Sequence, residues 1–238
     1  MTKYIRGEFY VAEKKEKQMS ESFMLGALLA FVGGFLDVYT YLSRGHVFAN
    51  AQTGNMVLFG AGLAEGDLRR AFYYFVPISA FAIGVVIAEF IKVHFKEKQQ
   101  IHWRQIIIVL EIVILLLASF IPIGKWDVIV NTMVSFVCSL QVQSFRKIRG
   151  SVFATTMCTG NLRTATESLC AYRRTKNEKL AKKSLTYYGI ICCFISGGVI
   201  GATATNIMHG RAVGICCIIL LIVFVLMFYK ENIVENKH

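Results

Sequence analysis

Two short polar turns interrupt the apolar runs of this chain, Thr53-Gly54-Asn55 and Thr159-Gly160-Asn161. Glycine frees a backbone from helical geometry, and Thr or Asn can cap the helix that follows. Each turn therefore predicts a break and a new helix start, from Met56 and from Leu162. Such a start presents unpaired amides and the positive end of the helix dipole, which suits an anion or the acceptor atoms of a polar solute. Asn50, Gln52 and Thr156 add donors and acceptors nearby, and Gln141 is counted with the candidate site. Asp37 adds a carboxylate several residues inside the first apolar run, where a charge without a partner is costly. The same residues have a packing explanation. Gly, Ser, Thr and Asn join apolar helices by close contact and hydrogen bonds, and Asp37 has Arg44 and nearby hydroxyls to pair with.

Composition says which solvent these turns sit in. Hydrophobic residues make up 55% of the 238 and charged residues 17%, with a mean hydropathy of +0.52. A soluble chain of this size needs a wetter surface, so a bilayer is the solvent that fits. The net charge of +11 does not point to nucleic acid, because the basic residues fall in short clusters between apolar runs. The seven Cys lie mostly in apolar segments. The adjacent pairs Cys192-Cys193 and Cys216-Cys217 have neither zinc nor CxxC spacing and read as small packing residues. No HExxH, GxSxG, P-loop or Cys/His pattern occurs. The expectation is a protein that is not an enzyme and needs no cofactor or metal.

A helix crossing about 30 Å of hydrocarbon needs about 20 mostly apolar residues. Six stretches qualify: 23–42, 71–91, 105–121, 128–145, 184–206 and 212–229. Two weaker stretches, 46–64 and 152–170, carry Asn, Thr and Gly through their centres and read as hairpins that dip in and return. Residues 1–22 are charged and no small-residue cleavage site follows the first run, so the first span serves as its own insertion signal. Six spans gather 1–22, 92–104, 146–183 and the C-terminal tail on one side. These hold every Lys and Arg except Arg44, Arg69, Arg70, Lys125 and Arg211, which places both termini in the cytoplasm. Eight full crossings would strand Arg163 in the membrane.

The chain repeats itself. AFVGGFLDVYTYLSRG (30–45) aligns with SFVCSLQVQSFRKIRG (135–150), VFANAQTGN (47–55) with VFATTMCTGN (152–161), and FAIGVVIA (81–88) with FISGGVIG (194–201). With three crossings per copy, the second copy starts on the opposite face, giving an inverted repeat about an axis in the membrane plane. The two turns then meet near mid-membrane, where irregular backbone is tolerated only if protein buries it or it lines a watery cavity. The predicted organisation is a cytoplasmic segment (1–22), a first membrane repeat (23–124), a second (125–230) and a cytoplasmic tail (231–238). The fold class is all-α integral membrane, with six transmembrane helices, two re-entrant or broken half-helix hairpins and two inverted repeats.

Other charged groups have local explanations. Glu89 sits beside Lys92 near a span end, and Glu111 lies two turns past Arg104, so both have a pairing partner at hand. Arg146, Lys147, Arg149, Arg173, Arg174, Lys182 and Lys183 form a basic rim suited to anionic lipid headgroups.

GGFLDVYTYLSRGHVFANAQTGNMVLFG (33–60) and VQSFRKIRGSVFATTMCTGNL (142–162) resemble the YoaK-like family of bacterial membrane proteins, a domain family of unknown function. The likeness covers nearly the whole chain and implies a multi-spanning plasma-membrane protein without assigning a substrate. Its motif positions fall here on Asp37, Arg44, Asn50, Gln52, Thr53, Gly54 and Asn55, then on Thr155, Thr156, Thr159 and Gly160. The chain departs from the pattern in the stretch 128–145, where Gln141, Val142 and Gln143 stand in place of a Gln-Asn pair. The leading expectation is a small secondary transporter for a small polar or anionic solute, with a site at the two turns and proton coupling through Asp37. An aquaporin-like passive channel and a non-transporting scaffold subunit are the alternatives. The expected partners are the lipid bilayer, the solute and a second copy of the chain.

Overall fold

The computed structural model describes residues 22–95, 103–148, 151–152 and 158–235. Of the expected terminal segments, 1–21 and 236–238 lie outside these residues, and 231–235 continue the last helix. The described chain is helical throughout, apart from turns and one two-residue ladder. Helix α1 (Phe23–Ser43) starts at Ser22, whose hydroxyl accepts the Leu25 amide at 3.2 Å and so caps the helix. It is followed by α2 (Gln52–Ala64), α3 (Leu68–Phe95), α4 (Trp103–Ser119) and α5 (Asp127–Ser144). The antiparallel pair β1 (Lys147–Ile148) and β2 (Ser151–Val152) then leads to α6 (Cys158–Thr175), α7 (Glu178–Met208), a 3-10 turn (His209–Val213) and α8 (Gly214–Glu235).

Helix α1 is apolar nearly all round and is buried accordingly, with Leu25, Leu29, Val32, Phe35, Leu36 and Tyr39 enclosed. It packs along α7 and touches α8 and α5. Helix α3 packs along α5, α2 lies on α3, α6 lies on α7, and α4 bridges α5 and α8. The α1–α7 and α3–α5 contacts are close because they are built on glycine. A Cβ at Gly197 of α7 would collide with the Phe31 carbonyl of α1, and one at Gly84 of α3 would come within 2.9 Å of the Phe136 carbonyl of α5.

Three stretches are long and apolar enough to cross a membrane: Phe23–Ser43, Leu68–Phe95 and the run Glu178–Met227. The last holds α7 and α8, divided at His209, where φ is 50°, so it contains two of the six expected spans. The expected spans 105–121 and 128–145 do not reach this standard. Helix α4 has 17 residues, and α5 carries Asn131, Ser135, Ser139, Gln141 and Ser144. These five polar residues are buried against protein, so α5 does not need a lipid-like sequence. Outward-facing Phe72, Ile83, Val86, Phe90 and Val93 on α3, and Ile218, Leu221 and Val225 on α8, give the molecule the apolar girdle that lipid covers.

Candidate functional site

The chain between α1 and α2 folds back against α1 and is held there by side-chain amides. At the end of α1, Gly45 and His46 take φ of 78° and 60°, a left-handed turn that glycine adopts without strain. A Cβ on Gly45 would also strike the Tyr73 hydroxyl. Residues 47–51 then run without regular structure, so their backbone groups need side-chain partners. Asp37 Oδ1 accepts the Asn50 amide at 2.7 Å, and the Ala51 amide is also directed at this carboxylate. Asn50 Nδ2 donates to the Gly33 carbonyl at 2.9 Å. Gln52 Nε2 donates to the Ala49 carbonyl at 2.8 Å and to Ser135 Oγ of α5 at 3.3 Å. Asn55 Nδ2 donates to the Phe48 carbonyl at 2.7 Å and to Gln52 Oε1 at 2.9 Å, while its Oδ1 accepts the Phe48 amide at 3.3 Å. Asp37, Asn50, Gln52 and Asn55 are all buried, and Asn50 Oδ1 has no hydrogen-bond partner.

The two polar turns differ from their expected form. Gly54 and Gly160 lie in the first turns of α2 and α6, not ahead of them, and neither takes a positive φ. The conformational break is instead at Gly45 and His46. Ala51 stands at the N-cap of α2 and its methyl side chain can accept no hydrogen bond, while Asn55 braces the upstream loop. Helices α2 and α6 pack on α3 and α7, while Cys158, the first residue of α6, lies within electrostatic reach of Asp37. Thr53 is exposed, as are Thr159 and Gly160, whereas Asn161 is buried. Thr155 and Thr156 lie outside the described residues. Gln141 is buried on α5 and donates to the Leu29 carbonyl of α1 at 3.0 Å.

The suggested Asp37–Arg44 pair does not form. Arg44 is fully buried and its guanidinium is spent elsewhere. It donates to the Tyr39 hydroxyl at 3.0 Å, to the carbonyls of Pro122 and Ile121 at 3.0 and 2.8 Å, and to Asp127 Oδ1 at 3.0 Å. The Arg44 carbonyl accepts from Tyr73 and Asn131, at 2.8 and 2.7 Å. Sequence reasoning missed Tyr73, Asp127, Asn131 and Ser135. Asn131 and Ser135, polar residues four apart in an apolar run, were the available signal. Glu89 does pair with Lys92, at 2.9 Å, and is also bound by Gln143 of α5. The suggested Glu111–Arg104 pair is absent, since Arg104 Nε donates to the Ser144 carbonyl at 2.9 Å.

Helix α6 is unlike α2 on its outer face. Where α2 exposes Met56, Val57 and Leu63, α6 exposes the ion pair of Arg163 and Glu167, at 2.8 Å, together with Arg173 and Arg174.

The family described as a protein of unknown function (DUF1275) matches residues 25–226. A relative from Bacillus subtilis (strain 168), described as UPF0700 transmembrane protein YoaK, is 39% identical over 62 residues, which is 26% of this chain and 28% of the relative's length. No solved structure matches.

Proposed function

The chain belongs to the DUF1275 family of unknown function, and we propose that this helical membrane protein is a small secondary transporter for a small polar solute. The observation that carries the proposal is that two short helices start at aligned positions, Gln52 for α2 and Cys158 for α6, the first just after the Asn50 amide that Asp37 accepts and the second within electrostatic reach of the same carboxylate. Paired interrupted segments at matching positions are the usual mark of a transporter site. The pairing of helices supports an inverted repeat: exchanging α1, α2, α3 and α4 with α5, α6, α7 and α8 maps the α1–α7 contact onto α5–α3, α2–α3 onto α6–α7, and α4–α5 onto α8–α1. The glycine contacts follow the same rule, since Gly84 aligns with Gly197 and Phe136 with Phe31. In this reading six helices span the plasma membrane with both termini in the cytoplasm. The charged outer face of α6 looks toward cytoplasmic water or a second copy, because lipid would penalise the Arg163–Glu167 pair.

The geometry moves the solute's expected charge. Asp37 already holds the amides at the start of α2, so this helix end does not await an anion. A neutral polar solute fits better on that side. Protonating Asp37 weakens its hold on the Asn50 amide and loosens the loop, which gives proton coupling a physical handle. No catalytic step is included in the proposal.

Cysteine accessibility separates transport from a scaffold. In a background lacking the native cysteines, Thr53→Cys and Thr159→Cys are expected to react with a membrane-impermeant thiol reagent, one from each side of the membrane. If neither position is labelled from either side, no water-filled path reaches the site and the transport reading fails.

Asp37→Asn separates coupled transport from a passive pore. In proteoliposomes the variant is expected to lose accumulation driven by a pH gradient while keeping downhill exchange. Unchanged gradient-driven uptake would instead favour the pore.

A further inference from the structure

Glu111 is the middle residue of α4, and no part of the proposed solute site uses it. Its side chain is fully buried, and neither carboxyl oxygen has a hydrogen-bond partner. Among the described residues no Lys, Arg or His forms an ion pair with it. On the elements packed against α4 the buried thiols are Cys138 on α5 and Cys216 and Cys217 on α8, with Cys217 Sγ directed at the Ile112 carbonyl at 3.6 Å; Asp127 of α5 is paired with Arg44, and α3 also carries Arg69, Arg70, Tyr73, Tyr74 and His94. His209 and Arg211 of the 3-10 turn are exposed, and on α3 Glu89 and Lys92 pair with each other. Asp37 and Glu111 are both within electrostatic reach of the Cys138 thiol.

A carboxyl that serves only to join helices donates or accepts a hydrogen bond, and this one does neither. Leaving such a group buried without a partner costs more than an aliphatic side chain of the same size would. An ionised form is costlier still at this depth, unless a positive charge joins it. A hard cation would need several oxygen ligands at once, whereas the Glu111 oxygens have no polar partner and the buried thiols on the packed helices are poor ligands for it. A single proton needs only the carboxylate. We propose that Glu111 is an intramembrane proton-binding site, which takes up one proton on its carboxylate to form the neutral acid and releases it again. The proposal does not rest on the transport reading, because the site is defined without the solute, and its test involves no uptake.

The test is infrared difference spectroscopy on the purified full chain in lipid nanodiscs, comparing acidic with alkaline buffer in H2O and D2O. Wild type is expected to show a carboxylic-acid carbonyl band that appears on acidification and shifts in D2O. Glu111→Gln should lose that band, and Asp37→Asn should keep it. Glu111→Asp, which preserves the acid on a shorter stem, should show the band at a displaced frequency, so the assignment survives a poorly folding Gln variant. A pH-dependent band unchanged in both Glu111 variants would overturn the proposal, as would its absence from wild type. So would a gain in thermal stability from sodium chloride over choline chloride that Glu111→Gln abolishes, because the carboxylate would then be holding sodium.

Discussion

Arg44→Ala is expected to remove most of the folded protein, at a cost of about 3–5 kcal/mol, the range for breaking a buried ion pair from one side. The side chain reaches four acceptors on three parts of the chain: Tyr39 in α1, the carbonyls of Ile121 and Pro122 beyond α4, and Asp127 at the start of α5. Alanine leaves the two carbonyls without this donor, leaves the Asp127 carboxylate with the Gly124 amide but no counter-charge, and opens a void the size of the guanidinium. Lysine is little better, because one ammonium cannot reproduce a planar fork that faces several acceptors at once. Asp127→Asn is the milder change. An amide oxygen still accepts from Arg44, and the Asp127 side chain retains 14% exposure to solvent. The measurement is the yield and thermal midpoint of detergent-solubilised protein, and the order expected is wild type, Asp127→Asn, Arg44→Lys, Arg44→Ala. An Arg44→Ala variant as stable as wild type would show that the charge cluster does not hold these segments together.

The sequence carried the apolar runs and the identity of the polar residues, because each depends on neighbours along the chain. It did not carry partner choice. Asp37 and Arg44 are seven residues apart and look like a pair, yet Arg44 finds Asp127 across 83 residues and Asp37 finds the Asn50 amide. Docking of α5 and of the loop after α4 decides that, and local spacing cannot express it. Glu111 failed in the same way, since Arg104 turned to the end of α5. Gly54 and Gly160 were legible as glycines but misread as hinges. The hinge is at Gly45, whose requirement for a left-handed φ and for room beside Tyr73 also gives a physical reason for the Arg-Gly step of the motif. Asn55, expected to meet a solute, holds both backbone groups of Phe48 instead. Span strength misled for α5, where burial against protein removes the need for apolar residues that hydropathy counts.

Gly197→Leu is expected to separate α1 from α7 and to abolish the folded state, with a loss above about 3 kcal/mol, at or beyond the upper end for overpacking. The atom in the way is backbone: the Phe31 carbonyl oxygen faces the missing Cβ, with the Phe31 Cα 2.9 Å from it. No side-chain rotation relieves that contact, so the helices must part along their length. Gly34→Leu should behave alike, because its Cβ would meet the Phe194 carbonyl of α7. Small residues at such crossings let helices approach closely where no hydrophobic force drives them together. Gly160→Leu is the control, since nothing lies within 4 Å of a Cβ there, and its yield and thermal midpoint should match wild type. The informative partner is Gly84→Leu. Gly84 aligns with Gly197 and meets Phe136, which aligns with Phe31. If the halves share one packing geometry, both substitutions lower the yield of folded protein to a similar extent. A silent Gly84→Leu beside a destructive Gly197→Leu would mean that the α3–α5 contact yields where α1–α7 does not, and the case for two equivalent repeats would fail.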